Sequence, residues 1–155
     1  MNRRTKFLVC VDNTAHSRTA VRFACAKAKQ LDCPIELIHV LDPSNYNSLF
    51  GVGQKMKEER WSEAEKLMNS MAEEAYNFAG IMPSFIIREG MVGEEVIAAV
   101  SADADINMLI IGKAPHAAGK KDTITMLTSE LTSKIMIPMM IVPGNLTDAQ
   151  IKELT

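Results

Sequence analysis

The stretch Lys6-Phe7-Leu8-Val9-Cys10-Val11-Asp12-Asn13-Thr14 decides the fold. After Lys6, five apolar residues follow one another without a polar interruption, the pattern of a strand buried on both faces. The run stops at Asp12-Asn13-Thr14, a polar turn whose residues all serve as helix N-caps. A helix follows over Ser17 to Leu31. Ala20, Val21, Ala24, Ala28 and Leu31 recur there at helical spacing, and Arg18, Arg22, Lys27 and Lys29 cover much of the other face. A buried strand that exits through a tight polar turn into an amphipathic helix is the first half of a βαβ unit.

The same alternation continues outward. Asp32-Cys33-Pro34 breaks the helix, and Ile35 to Leu41 forms a second strand. A turn-rich loop from Asp42 runs past Gly51 and Gly53 into a long helix, Lys55 to Ala79, striped by Ala64, Leu67, Met68, Met71, Ala75 and Phe78. Gly80 and Pro83 close it. Strands are expected at Ser84 to Arg88, Ile106 to Ile111 and Pro138 to Val142, with helices at Glu94 to Ser101 and Thr123 to Ile135. Thr147 to Gln150 has capping-box spacing ahead of a last short helix. The expected fold is an α/β open doubly wound, mostly parallel five-stranded sheet with helices on both faces. Ligands of such sheets sit beyond the carboxyl ends of the strands, where strand order reverses. The exits to inspect are therefore Asp12, Leu41-Asp42, Gly90-Met91 and Gly112-Lys113.

Bulk properties exclude several functions. A chain of 155 residues fits one domain. Its net charge of -2 argues against nucleic acid or an anionic membrane as partner. No run approaches the ~20 apolar residues of a membrane helix, and the basic Met1-to-Lys6 segment leads into a run too short for a signal peptide. Cys10, Cys25 and Cys33 lack metal-type spacing and read as reduced core thiols, which places the chain in the cytoplasm. His39, inside an apolar strand, reads as a core histidine, and His16 as a residue of an exposed first helical turn. No nucleophile-base set or carboxylate pair assembles into a catalytic group. Gly112 to Lys121 is not a P-loop: six residues separate Gly112 from Gly119 where four are needed.

At the strand exits the sequence resembles the universal stress protein family. Phe7 to Asp12 with His16-Ser17-Arg18 resembles its opening block, and Ile38-His39-Val40-Leu41-Asp42-Pro43 its second strand. Glu89-Gly90, Ala104 to Gly112, and Ile137 to Pro143 resemble the later blocks, so the likeness covers Lys6 to Pro143. It implies a universal stress protein domain over 1–143, with an adenine nucleotide alpha hydrolase-like fold, and a C-terminal extension over 144–155. It also implies a homodimer paired through the last strand, Pro138 to Val142, and binding of ATP or AMP, with Mg accompanying the nucleotide. Adenine is then expected near Asp12 and Val40, and phosphate on a Gly-x2-Gly-x9-Gly-Ser/Thr loop. Here Gly112 fills the first position, but Pro115, Thr125 and Met126 fill the others, and Pro115 has no N–H to donate. Lys113, Lys120 and Lys121 offer charge in place of that cradle.

The resulting expectation is a regulatory module that binds ATP or AMP weakly or in a modified mode, without notable turnover. The alternative is a dimeric interaction protein that binds no nucleotide and meets an unidentified protein through its dimer surface and the 46–60 segment. A slow ATPase ranks last, since no water-activating residue is evident.

Overall fold

The structure is a computed structural model and describes residues 5–43, 53–115, 131 and 133–155. In chain order the elements are β1 (Lys6–Cys10), α1 (Ala15–Leu31), β2 (Ile35–Leu41), α2 (Gly53–Ala79), β3 (Ser84–Glu89) and α3 (Val92–Ala102). Then follow β4 (Ile106–Lys113), β5 (Met139–Pro143) and a last helix, α4 (Asp148–Leu154). The strands pair in the order β3-β2-β1-β4-β5, and every pairing is parallel. Order therefore runs one way from β1 to β3 and the other way from β4 to β5. The switch point lies between β1 and β4.

Alternation along β1 explains the two-sided core. Phe7 and Val9, with Val11 beyond the strand, join a cluster containing Ala20, Val21, Ala24 and Ala28 of α1 and Met68, Met71 and Ala75 of α2. Leu8 and Cys10 point into the opposite cluster, with Val96 and Ala99 of α3, Ile111, Leu131 and Ile135. Burying both faces of one five-residue strand is what an uninterrupted apolar run encodes.

Several boundaries differ from the sequence reading, each for a local reason. Helix α1 starts at Ala15 because Thr14 is its N-cap, accepting from the Ser17 N–H at 3.2 Å. The helix ends at Asp32, which caps it in the left-handed region at φ 51°, and Leu31 is 54% exposed, so the buried stripe stops at Ala28. Arg18 and Arg22 are not a solvated face. Both bond Glu74 of α2, at 2.7 and 2.5 Å, and clamp the two helices together. Strand β4 runs two residues further than expected, because Gly112 and Lys113 pair with Val142 and Pro143. Of the helix expected at Thr123 to Ile135, residues 123–130 and 132 lie outside the described residues. Leu131, Ser133 and Lys134 are helical.

Helix α4 opens with the full capping box of Thr147 and Gln150. It docks through fully buried Ile151, an Arg22–Asp148 ion pair at 3.2 Å, and Lys152 placed 5.9 Å from the Phe78 ring centre.

Candidate functional site

A cleft of about 300 Å³ opens where the carboxyl ends of β1, β2 and β4 meet the first turn of α1 and the early turns of α2. Its apolar lining comes from Cys10, Val11, Val40, Leu41, Val92 and Ile111. Asp12, His16, Ser17, His39, Asp42 and Arg60 supply the polar groups, and Gly112 completes it. Apolar walls combined with convergent polar groups are the ordinary make-up of a small-molecule site.

Asp12 is held rather than loose. Ser17 Oγ donates to its Oδ1 at 2.8 Å and accepts the Asp12 N–H at 3.0 Å. Thr14 Oγ1 donates to the same Oδ1 and accepts from the Ser17 N–H. Two hydroxyls thus fix one carboxylate oxygen, and Oδ2 has no partner among the described residues. Ser17 is only 3% exposed, so its hydroxyl has a strong reason to stay paired. Capping of α1 falls to Thr14, and Asp12 buttresses that cap from outside the helix.

His39 sits at the strand end, half-buried and lining the cleft, rather than in the core as its apolar strand suggests. Its Nδ1–H donates to the Val11 carbonyl at 2.8 Å. A carbonyl only accepts, so the bond fixes a proton on Nδ1 and turns the Nε2 edge of the ring away from Val11. Cys10 behaves as a core thiol. Burial, helped by the charge of Asp12, pushes it up to about 12, far from the range of a reactive thiolate. All three cysteines are buried and unpaired.

Gly112 has a structural duty. A β-carbon there would collide with the main-chain oxygen of His16 and lie 2.9 Å from its carbonyl carbon. Gly144 backs the same residue from the other side: its own β-carbon would stand 3.0 Å from His16 Cα and closer still to His16 Cβ. The Gly144 N–H donates to Lys113 O at 2.8 Å, and Thr19 Oγ1 donates to Gly144 O at 3.0 Å. His16 is thus wedged between two glycines and lines the cleft instead of standing in an exposed turn.

Asp12, Val40 and Gly112, separated in sequence, converge on this one cleft. Lys113 is exposed at the end of β4 and is not among the lining residues, and Pro115 is exposed just beyond it. Thr125 and Met126, like Lys120, Lys121 and His116, lie outside the described residues. Of the 46–60 segment, residues 46–52 also lie outside them, while Arg60 lines the cleft. Asp42, one of the strand exits singled out in the sequence, lines the cleft, while sequence reasoning missed His16, Ser17, His39 and Arg60 as lining residues. For Arg60 a signal existed. Arg60, Ala64, Met68, Met71 and Ala75 recur at helical spacing, and the last four are buried, so Arg60 continues the inward stripe of α2. Among the described residues, no group of three or more His, Cys, Asp or Glu side chains is placed to hold a metal ion. No helix is long and apolar enough to cross a membrane.

An all-parallel doubly wound sheet with a cleft at its switch point defines the class of α/β proteins that take ligands at their strand ends. The chain belongs to the universal stress protein family, whose profile matches residues 3–143. Solved structures share the fold. The universal stress protein UspA from Lactobacillus plantarum aligns with a TM-score of 0.73 at 15% identity, over 92% of this chain and 99% of that one. The universal stress protein from Archaeoglobus fulgidus in complex with dAMP aligns at 0.60 and 13%, over 89% and 97%. A universal stress protein family protein from Arabidopsis thaliana with AMP bound aligns at 0.54 and 16%, over 91% and 92%. No curated protein matches the chain in sequence.

Proposed function

We propose that the chain is a regulatory module that binds an adenine nucleotide, AMP or ATP, in the cleft at the β1–β4 switch point. One observation carries this reading: Asp12, Val40 and Gly112, the described residues on which the family resemblance places adenine and the start of the phosphate loop, line a single cleft. Fold relatives with dAMP and AMP bound support it. Val11, Val40 and Ile111 offer an apolar bed for a purine, and Asp12, an acceptor with one oxygen already fixed, suits its exocyclic amine. Any Mg arrives with the phosphates, which supply most of its ligands in such sites.

Two further readings belong to this proposal. The chain pairs as a homodimer through β5, an edge strand where Ile141 is 46% exposed and the neighbouring Met136 is 93% exposed. Residues 1–143 form the functional domain, and 144–155 form an extension that braces α1 against α2.

Thermal unfolding of nucleotide-free protein in ATP, ADP, AMP and buffer, each with magnesium, tests the central reading. A ligand at a hundred times its dissociation constant adds ~2.7 kcal/mol, about 5–10 °C for a chain of this size. A flat series at millimolar nucleotide rejects it.

A further inference from the structure

We infer that Arg60 of α2 is the residue that takes the ligand's phosphate, so that a guanidinium on α2 carries anion recognition in the cleft. The inference rests on the nucleotide reading of the cleft and specifies which residue meets the charge.

Three observations support it. First, Arg60 occupies the core-facing stripe of α2, four residues ahead of buried Ala64 and eight ahead of fully buried Met68. A guanidinium on that line is costly against apolar surface and useful over a polar cleft, and the cleft is where Arg60 lies. Second, its position is braced. Lys57, one turn earlier, pairs with Glu89 at the end of β3 at 3.2 Å, which ties this part of the helix to the carboxyl edge of the sheet. Third, the described residues at the end of β4 offer an anion little. The inner face of Gly112 is taken up by the His16 backbone, Pro115 has no N–H, and Lys113 is not among the lining residues. Among the described lining residues Arg60 is the one Lys or Arg. Its planar fork matches two phosphate oxygens at once. A phosphate held there bridges α2 to the strand ends, so ligand binding reports on how α2 is seated.

The test is calorimetric titration of wild type, Arg60→Gln and Arg60→Lys with adenosine, AMP and magnesium ATP. Wild type is expected to bind AMP roughly tenfold or more tighter than adenosine, the effect of a charge-assisted pair. Arg60→Gln is expected to erase that advantage while leaving adenosine affinity unchanged, and Arg60→Lys to restore part of it, with a point charge but no fork. Retention of the full AMP preference in Arg60→Gln overturns the inference and leaves the nucleotide site standing. An equal fall for adenosine and AMP also overturns it, since the residue then serves the shape of the site. If neither compound binds wild type, the nucleotide reading fails and this inference falls with it.

Discussion

The main-chain carbonyl of His16 lies against the α-carbon of Gly112, so closely that a β-carbon there would be 2.9 Å from the carbonyl carbon and nearer still to its oxygen. Glycine at this strand end is therefore a condition for seating the first turn of α1 on β4. The same seating brings Asp12, Ser17 and Gly112 to one cleft. Gly112→Ala is expected to lower stability by about 1–3 kcal/mol, the usual effect of overpacking, and the unfolding midpoint by roughly 3–10 °C. Were Gly112 present only to admit a phosphate, the melting curve of the ligand-free variant would match wild type.

Ser17→Ala removes a buried hydroxyl that both donates to Asp12 Oδ1 and accepts the Asp12 N–H. A loss of about 1–2 kcal/mol is expected in denaturant unfolding. Adenosine affinity is expected to fall as well, because the carboxylate loses one of its two anchors. Unchanged adenosine affinity in a folded Ser17→Ala protein would show that the orientation of Asp12 does not matter to the ligand.

Lys6 and Asp103 tie the start of β1 to the chain after α3 by a 2.6 Å ion pair. The Lys6 hydrogen bond holds the Asp103 carboxyl below its ordinary 3.8, and the same bond raises the Lys6 ammonium above its ordinary 10.5. A depressed carboxyl adds stability that is present above its unfolded value and lost as pH falls through the folded one. A raised ammonium adds stability that is lost as pH rises through its folded value. A Lys6→Met and Asp103→Asn double-mutant cycle is expected to give a coupling of roughly 0.2–1 kcal/mol at pH 7, given partial exposure. The coupling should fade below pH 4 and again above pH 10.5. A coupling that stays constant from pH 7 to pH 3 would refute the assignment.

The edge role of β5 has a clean variant in Ile141. Met140 packs against the α1-side core and Met139 against the other, whereas Ile141 is 46% exposed. Ile141→Glu is expected to sediment as a monomer with an unchanged melting curve at low concentration, since a charge buried at an interface is costly. If wild type and variant sediment alike, pairing through this strand is wrong.

Much of the fold was legible because its strands are continuously apolar. Phe7 and Val9 serve one face of β1 and Leu8 and Cys10 the other, which no half-exposed strand needs. Sheet order is not written in any local pattern and comes from the structure alone. The site was legible in part. Asp12 and Val40 stand at strand exits, where open α/β sheets put ligands. Gly112 was ambiguous, because a glycine required for phosphate approach and one required for helix packing look alike in sequence. Arg60 was hidden by its helix. The stripe of α2 is read from Ala64 onward, although half-buried Met56, four residues before Arg60, marks the same line in the first turns. His39 was masked by its neighbours: the strand is apolar, yet its end opens into the cleft.

The most direct test of the central claim is a ¹⁵N–¹H correlation titration of the nucleotide-free chain with AMP. Saturable shifts are expected at the amides of Asp12, Val40 and Gly112 and around Arg60, with β5 and α4 unmoved. An unchanged spectrum at millimolar AMP, or shifts confined to residues away from the cleft, would contradict the account.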